Sequence, residues 1–272
     1  MMDNSKAALL FEALLQIKKK PVGIKFLLDL KAHDSFPFAV TQRAAPYCVF
    51  VKQASRGRNF KLSLDNLTCL GGAMALGFVT PGNQVISGQR RRNSGSYKDL
   101  CISRNISRKM MYCQHKLHGV AVGPLENYQE PPDIVILVAA AVDAMRVLQG
   151  NAYHNGNDTR FNLVGMQALC HECTSYPFET NAINLSMLCP GTRMVANWAD
   201  DELGIGIPFN QQEMVIDGIR CTVNPFERNR AKARIEKRLE EKGLRDLLTI
   251  EYDKNYDDGA YTGAFKSEVN LD

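Results

Sequence analysis

The chain has 272 residues, 45% hydrophobic and 23% charged, with a formal net charge of +4. That is enough apolar material for a self-sufficient core, which excludes disorder along the whole chain, and so mild a positive excess does not by itself imply a polyanionic partner. The longest apolar run, residues 134–142, falls well short of the roughly 20 residues that a membrane helix needs.

The N-terminal segment carries its lysines after its apolar residues, the reverse of a secretory signal. A cytoplasmic protein is therefore expected. In that reducing compartment its eight cysteines should be thiols, metal ligands or catalytic groups rather than structural disulfides.

Taken in chain order, Leu9, Leu10, Ala13, Leu14 and Ile17 fall at helical spacing and predict a helix over 5–19, stopped by Pro21. Residues 21–28 read as a strand. A second helix is expected over 46–55, with Pro46 in its first turn and Gly57 just past its end. Residues 60–67 alternate as a strand does, and 71–78 read as a short helix closed by the Pro81-Gly82 turn. Residues 88–118 then hold eight Lys or Arg and one acid, Asp99. Strands are predicted over 119–122, 133–140 and 182–188. Helices are predicted over 141–148, 163–170, 191–197 and 211–222. From Glu227 to Leu248 the chain is highly charged, with a thin stripe of Ile235, Leu239 and Leu244 that suits a surface or partner-binding helix. Residues 251–272 read as a flexible tail.

The two halves repeat a pattern. Each has a strand, a helix, an Asn-Leu pair, then C-x-G-x-x-M: Asn66, Leu67, Cys69, Gly71 and Met74 in the first, Asn184, Leu185, Cys189, Gly191 and Met194 in the second. A glycine two residues after a cysteine, at a strand-to-helix turn, lets backbone or a cofactor approach closely. A cysteine at such a turn sits near a helix N-terminus, which favours its thiolate. The expected fold is thus α/β, two similar pseudo-symmetric halves (8–87 and 119–225) packed as one unit. A basic insertion over 88–118 interrupts them, and a charged helix and tail over 226–272 follow. Cys69 and Cys189 are expected to face one cleft between the halves.

The ordered set PVGIKF (21–26), YC (47–48), KQASRG (52–57), LTCLGGAMALG (67–77), LSMLCPGTR (185–193) and DDELGIGIP (200–208) resembles the ArCR family, a domain of unknown function in archaea and anaerobic bacteria. The resemblance spans roughly residues 8–225. It implies a soluble α/β domain and no established reaction. It matches recurring cysteines to Cys48, Cys69 and Cys189, and it implies a place among accessory proteins of anaerobic metabolism, which suits an oxygen-sensitive metal centre. The basic stretch and the charged C-terminal segment depart from it.

Cys170 and Cys173 form a C-x2-C pair, the spacing by which two thiolates grip one metal. No second C-x2-C completes a zinc ribbon, and ferredoxin spacings are absent. A four-sulfur site must therefore borrow from the first half. The expected ligands are Cys48, Cys69, Cys173 and Cys189, with Cys170 as the substitute for Cys173. Buried thiols without metal, inert or reactive, are the alternatives. An all-thiolate set suits iron–sulfur or zinc, and the implied metabolism favours iron–sulfur, with zinc as the alternative. Gly71 and Gly191 are the candidate cofactor-binding turns.

Arg193 is positioned to pair with a substrate carboxylate, and Asp201, in the run Asp200-Asp201-Glu202, is a candidate general acid or base unless that run merely charges a helix start. Cys101, Cys113, His115 and His118 lack the spacing of a known zinc finger. The basic stretch has few aromatics and no recognition-helix pattern, which argues against nucleic acid and leaves an anionic ligand, a protein partner or a solvated surface. The expected function is an iron–sulfur protein of anaerobic metabolism, either a redox enzyme or one acting on a sulfur-containing or carboxylated small molecule. The alternative is a non-catalytic binding module that docks a partner through the basic loop or the C-terminal helix.

Overall fold

Strict alternation along the most apolar strand sets the layers of the protein. In a computed structural model that describes residues 2–156, 160–223, 228–252 and 254, strand Ile134–Ala140 lies near the middle of the sheet. It turns Ile134, Ile136 and Val138 to one apolar cluster and Val135 and Leu137 to the other. A strand buried on both faces needs no polar side, which is why this segment reads as an unbroken apolar run.

The strands are β1 (Val22–Leu27), β2 (Phe60–Leu62), β3 (Gly119–Pro124), β4 (Ile134–Ala140), β5 (Asn184–Ser186) and β6 (Glu202–Pro208). Among the described residues they form one sheet of order β2-β3-β1-β4-β6-β5, antiparallel at every pairing. The fold is mixed α/β. Counted outward from the centre, each half of the chain places its first, third and second strand in that order. Beyond strand order the halves differ. The first inserts helices Gln89–Asn93 and Leu100–Lys109 before its last strand, and the second carries a π-helix over Ala168–Ser175.

The seam between the halves is short. β1 and β4 pair only over Val22↔Ile136, Gly23↔Val135 and Ile24↔Ile134. Asp133 extends it, accepting from the Phe26 amide at 2.7 Å and from Lys25 Nζ at 3.0 Å.

One face of the sheet is covered by α1 (Asn4–Leu15), the helices Ala141–Asn155 and Gln212–Cys221, and the C-terminal helix Arg228–Glu241. α1 begins at Asp3, whose carboxylate accepts from the Ser5 and Lys6 amides, and ends where Gln16 turns left-handed (φ 57°), ahead of the expected stop at Pro21. Ile235, Leu239 and Leu244 are buried in this layer, and Arg238 donates to the Ala13 carbonyl at 2.6 Å. The thin apolar stripe is therefore packed within the chain. The expected boundary at 225–226 and nearly all of the tail lie outside the described residues.

The other face carries α2 (Tyr47–Ala54), α3 (Leu70–Ala75), the π-helix and α4 (Pro190–Ala196). Residues 200–208 are the main departure from expectation. Asp200-Asp201-Glu202 does not charge a helix start, because Glu202 opens β6. This strand alternates glycine with isoleucine. Ile205 and Ile207 join the first-described layer, while Gly204 and Gly206 clear room for the π-helix. A Cβ on Gly204 would lie 2.8 Å from Sγ of Cys173, and one on Gly206 would overlap the Cys173 carbonyl. The predicted helix over 141–148 continues to Asn155, and the one expected over 163–170 is displaced to 168–175. The basic insertion is helical and packed, not a loop.

Candidate functional site

Four sulfurs line one cavity of about 460 Å3 on the second face: Cys48 and Cys69 from the first half, Cys170 and Cys189 from the second. Each sits where a helix begins. Cys48 is the second residue of α2, Cys170 the third of the π-helix, and Cys69 and Cys189 are the N-cap residues of α3 and α4. Helix starts leave backbone N–H groups without intrahelical partners, and at Cys189 one of them is used: the Thr192 amide donates to Sγ at 3.4 Å. The Thr192 hydroxyl lies 3.1 Å from the same sulfur and is close enough to the Cys48 thiol to offset part of the effect of its burial, so one buried threonine acts on sulfurs from both halves.

Gly71 and Gly191 line the cavity; a Cβ on Gly71 would lie 3.2 Å from Nε2 of Gln167, and one on Gly191 4.0 Å from Sγ of Cys189. The C-x2-C pair divides. Cys170 faces the cavity, whereas Cys173 is fully buried against β6 and does not line it. The reason is the helix type. The Glu172 amide bonds to the Gln167 carbonyl and the Tyr176 amide to that of His171, both five residues back. A π-helix has more residues per turn than an α-helix, so positions three apart no longer share a face. At the cavity, the place expected of Cys173 is taken by Cys170.

Burial pushes the Cys48 thiol up to about 12, with Cys189 and Cys69 adding to the effect. Burial, then Cys189, Cys69 and Cys48, push Cys170 well above the usual thiol range. Buried thiols gathered at one cavity resist ionising together unless a cation joins them. As the side chains stand, no group of three or more His, Cys, Asp and Glu residues among those described is set to hold a metal ion.

Arg193 and Asp201 are not brought to the cavity. The Arg193 guanidinium donates to the carbonyls of Met187 (3.0 Å), Glu202 (2.9 Å) and Ala199, clamping α4 to the start of β6. Asp201 is exposed in the preceding turn. Cys101 is exposed, and Cys113 is buried with its sulfur 3.8 Å from the His115 carbonyl, so the basic stretch gathers no ligand group of its own.

The basic stretch reaches the site by another route. Arg91 is buried and donates to Oε1 of Gln167 and to Oγ of Ser107, each at 2.7 Å. Gln167 in turn donates to the Gly71 carbonyl, two residues beyond Cys69. Arg90 lines the cavity directly. None of these residues was singled out by the sequence. Gln167 and Thr192 each lie three residues from a cavity cysteine, a spacing that signals contact only once the helix types are known. Nothing local distinguishes Arg91 within its run of three arginines.

Behind the π-helix, Glu172 is held by the amides of Val164 (2.6 Å) and Gly165 (2.8 Å) and by the Ser186 hydroxyl (2.5 Å). Burial raises its carboxyl above the usual range. The His171 ring accepts the Met111 amide at 2.9 Å through Nε2, and burial lowers its pKa to about 4, which keeps it neutral. Both groups anchor the helix that presents Cys170.

No helix among the described residues is long and apolar enough to cross a membrane. The family model described as uncharacterised ArCR matches residues 10–218. An uncharacterised protein of Methanocaldococcus jannaschii, MJ0308, is 21% identical over 210 residues, covering 76% of this chain and 89% of that protein. No solved structure matches the chain.

Proposed function

The chain belongs to the uncharacterised ArCR family, and from that premise we propose that Cys48, Cys69, Cys170 and Cys189 hold a thiolate-ligated metal centre, an iron–sulfur cluster before zinc. The observation that carries this reading is the convergence of four sulfurs, two from each half of the chain, on one cavity wall. The donor set fits the group: all-sulfur ligation suits iron–sulfur clusters and zinc, and no carboxylate or imidazole lines the cavity to favour a harder ion. Bound there, a cluster would supply a one-electron carrier, or a Lewis-acidic iron if one cysteine is left out of the ligand set.

The protein's own residues serve such a centre in definite ways. The Thr192 amide and hydroxyl on Cys189 place hydrogen bonds at a ligand sulfur, which tunes cluster potentials. Leu169, Met166 and Val195 give the cavity apolar walls that limit water. The Gln167 bond to Gly71 fixes the turn that carries Cys69.

Purification without oxygen, followed by the visible spectrum and iron, zinc and sulfide analysis, tests the reading. Broad absorption near roughly 400 nm with iron and sulfide in similar amounts is expected, lost in Cys69→Ala and Cys189→Ala and kept in Cys173→Ala. Zinc without iron would retain the thiolate centre and overturn the cluster. A folded protein with neither metal would overturn both.

A further inference from the structure

A smaller chamber of about 210 Å3 opens off the thiol cavity. The two share Cys69, Gly71, Arg90, Met166 and Gln167, and the smaller one adds Met74, Val85, Arg91 and Ser94. Against apolar Met74, Val85 and Met166 it holds two arginines. Arg91 is 8% exposed, and the partners of its guanidinium are all neutral: Ser107, Gln167, Tyr112 at 3.3 Å and the Met110 sulfur. Arg90, one residue before it, is exposed, and its side chain has no hydrogen bond or ion pair among the described residues. The chamber is therefore flanked by two positive charges with no carboxylate in its lining.

Taking a guanidinium out of water is costly, and neutral acceptors offset less of that cost than an anion does. A second cation beside it raises the local potential further, and the low-dielectric walls strengthen that field. The guanidinium fork is also shaped for two-oxygen recognition of carboxylate or phosphate. We propose that this arginine-lined chamber binds the anionic oxygen group, carboxylate or phosphate, of a small molecule whose other end lies against the four thiols. The sequence assigned the anion to Arg193, but that residue lines neither the thiol cavity nor this chamber. The site stands on the chamber's own charges and does not depend on which metal, if any, the thiols hold.

Calorimetric titration at low ionic strength tests it, with inorganic phosphate and succinate as separate probes on protein as isolated and on protein treated with a chelator. Saturable binding of at least one probe is expected in both preparations, and which probe binds tells phosphate from carboxylate. Arg90→Gln should weaken it at least tenfold while the melting temperature holds, because Arg90 has no other side-chain partner. Arg193→Gln should leave the affinity unchanged wherever the fold survives. Failure of both probes to bind the wild type, or equal affinity in Arg90→Gln, would overturn the proposal. Anion binding in a protein that never carries metal would overturn the thiolate centre alone.

Discussion

Arg91 donates to Oε1 of Gln167 at 2.7 Å across 76 residues of sequence. The bond joins the basic insertion to the segment that leads into the π-helix, and Gln167 passes it on to the Gly71 carbonyl beside Cys69. Three parts of the chain thus meet at one amide. Replacing Gln167 by Ala removes both bonds, worth about 0.5–1.5 kcal/mol net for the one to the Gly71 carbonyl and about 1.5–3 kcal/mol for the one from the charged Arg91. Denaturant unfolding should show that loss, and metal content should fall with it. A variant as stable as the wild type would remove this amide from the account of the site.

Cys170 and Cys173 should respond differently to the same change. Cys170→Ser is expected to keep the fold and lose bound metal, because the side chain faces the cavity. Cys173→Ser places a hydroxyl in a fully buried spot against Gly204. It should destabilise by about 1–3 kcal/mol if that hydroxyl finds no partner, while metal per folded molecule is unchanged. Paired metal analysis and unfolding curves on both variants read this directly. The reverse pattern would restore Cys173 to the ligand set.

The glycine face of β6 makes a sharper prediction. A Cβ at Gly206 would overlap the Cys173 carbonyl, which belongs to rigid helix backbone and cannot turn aside as a flexible side chain would. Gly206→Ala is expected to cost about 3 kcal/mol or more, the upper end for overpacked cores. Gly243→Ala faces open space but sits at φ 66°, so it should incur only the smaller left-handed strain of roughly 1–2 kcal/mol. Melting temperatures of the two variants, measured side by side, test the ranking.

Leu239 is fully buried between the C-terminal helix and the layer that contains α1. Leu239→Ala should lower stability by about 2–5 kcal/mol, as large-to-small core changes do. An exposed partner-docking stripe would instead show a change within about 0.5 kcal/mol, the usual range for surface substitutions. The unfolding free energy therefore separates an internal packing face from an external docking face.

The sequence by itself determined the elements whose signals are local. Val22–Leu27, Tyr47–Ala54, Ile134–Ala140 and Gln212–Cys221 lie within a residue or two of their predicted spans, because apolar period, proline and glycine act through neighbouring residues. The family was legible too, in the order of short motifs around Cys48, Cys69 and Cys189, as was the placing of Cys69 and Cys189 at helix starts.

Tertiary structure decided the rest. Strand β6 was hidden because its alternation sets isoleucine against glycine rather than against a polar residue, and only the helix lying on Gly204 and Gly206 explains that choice. The selection of Cys170 over Cys173 depends on i→i+5 bonding, which no residue spacing announces. Arg193 looked like a free cation and is spent on carbonyls, while Arg91 looked like a surface charge and is buried beside the cavity. Charge and chemistry can be read from residue types. Which of those groups share a cavity is set by packing between segments far apart in the chain.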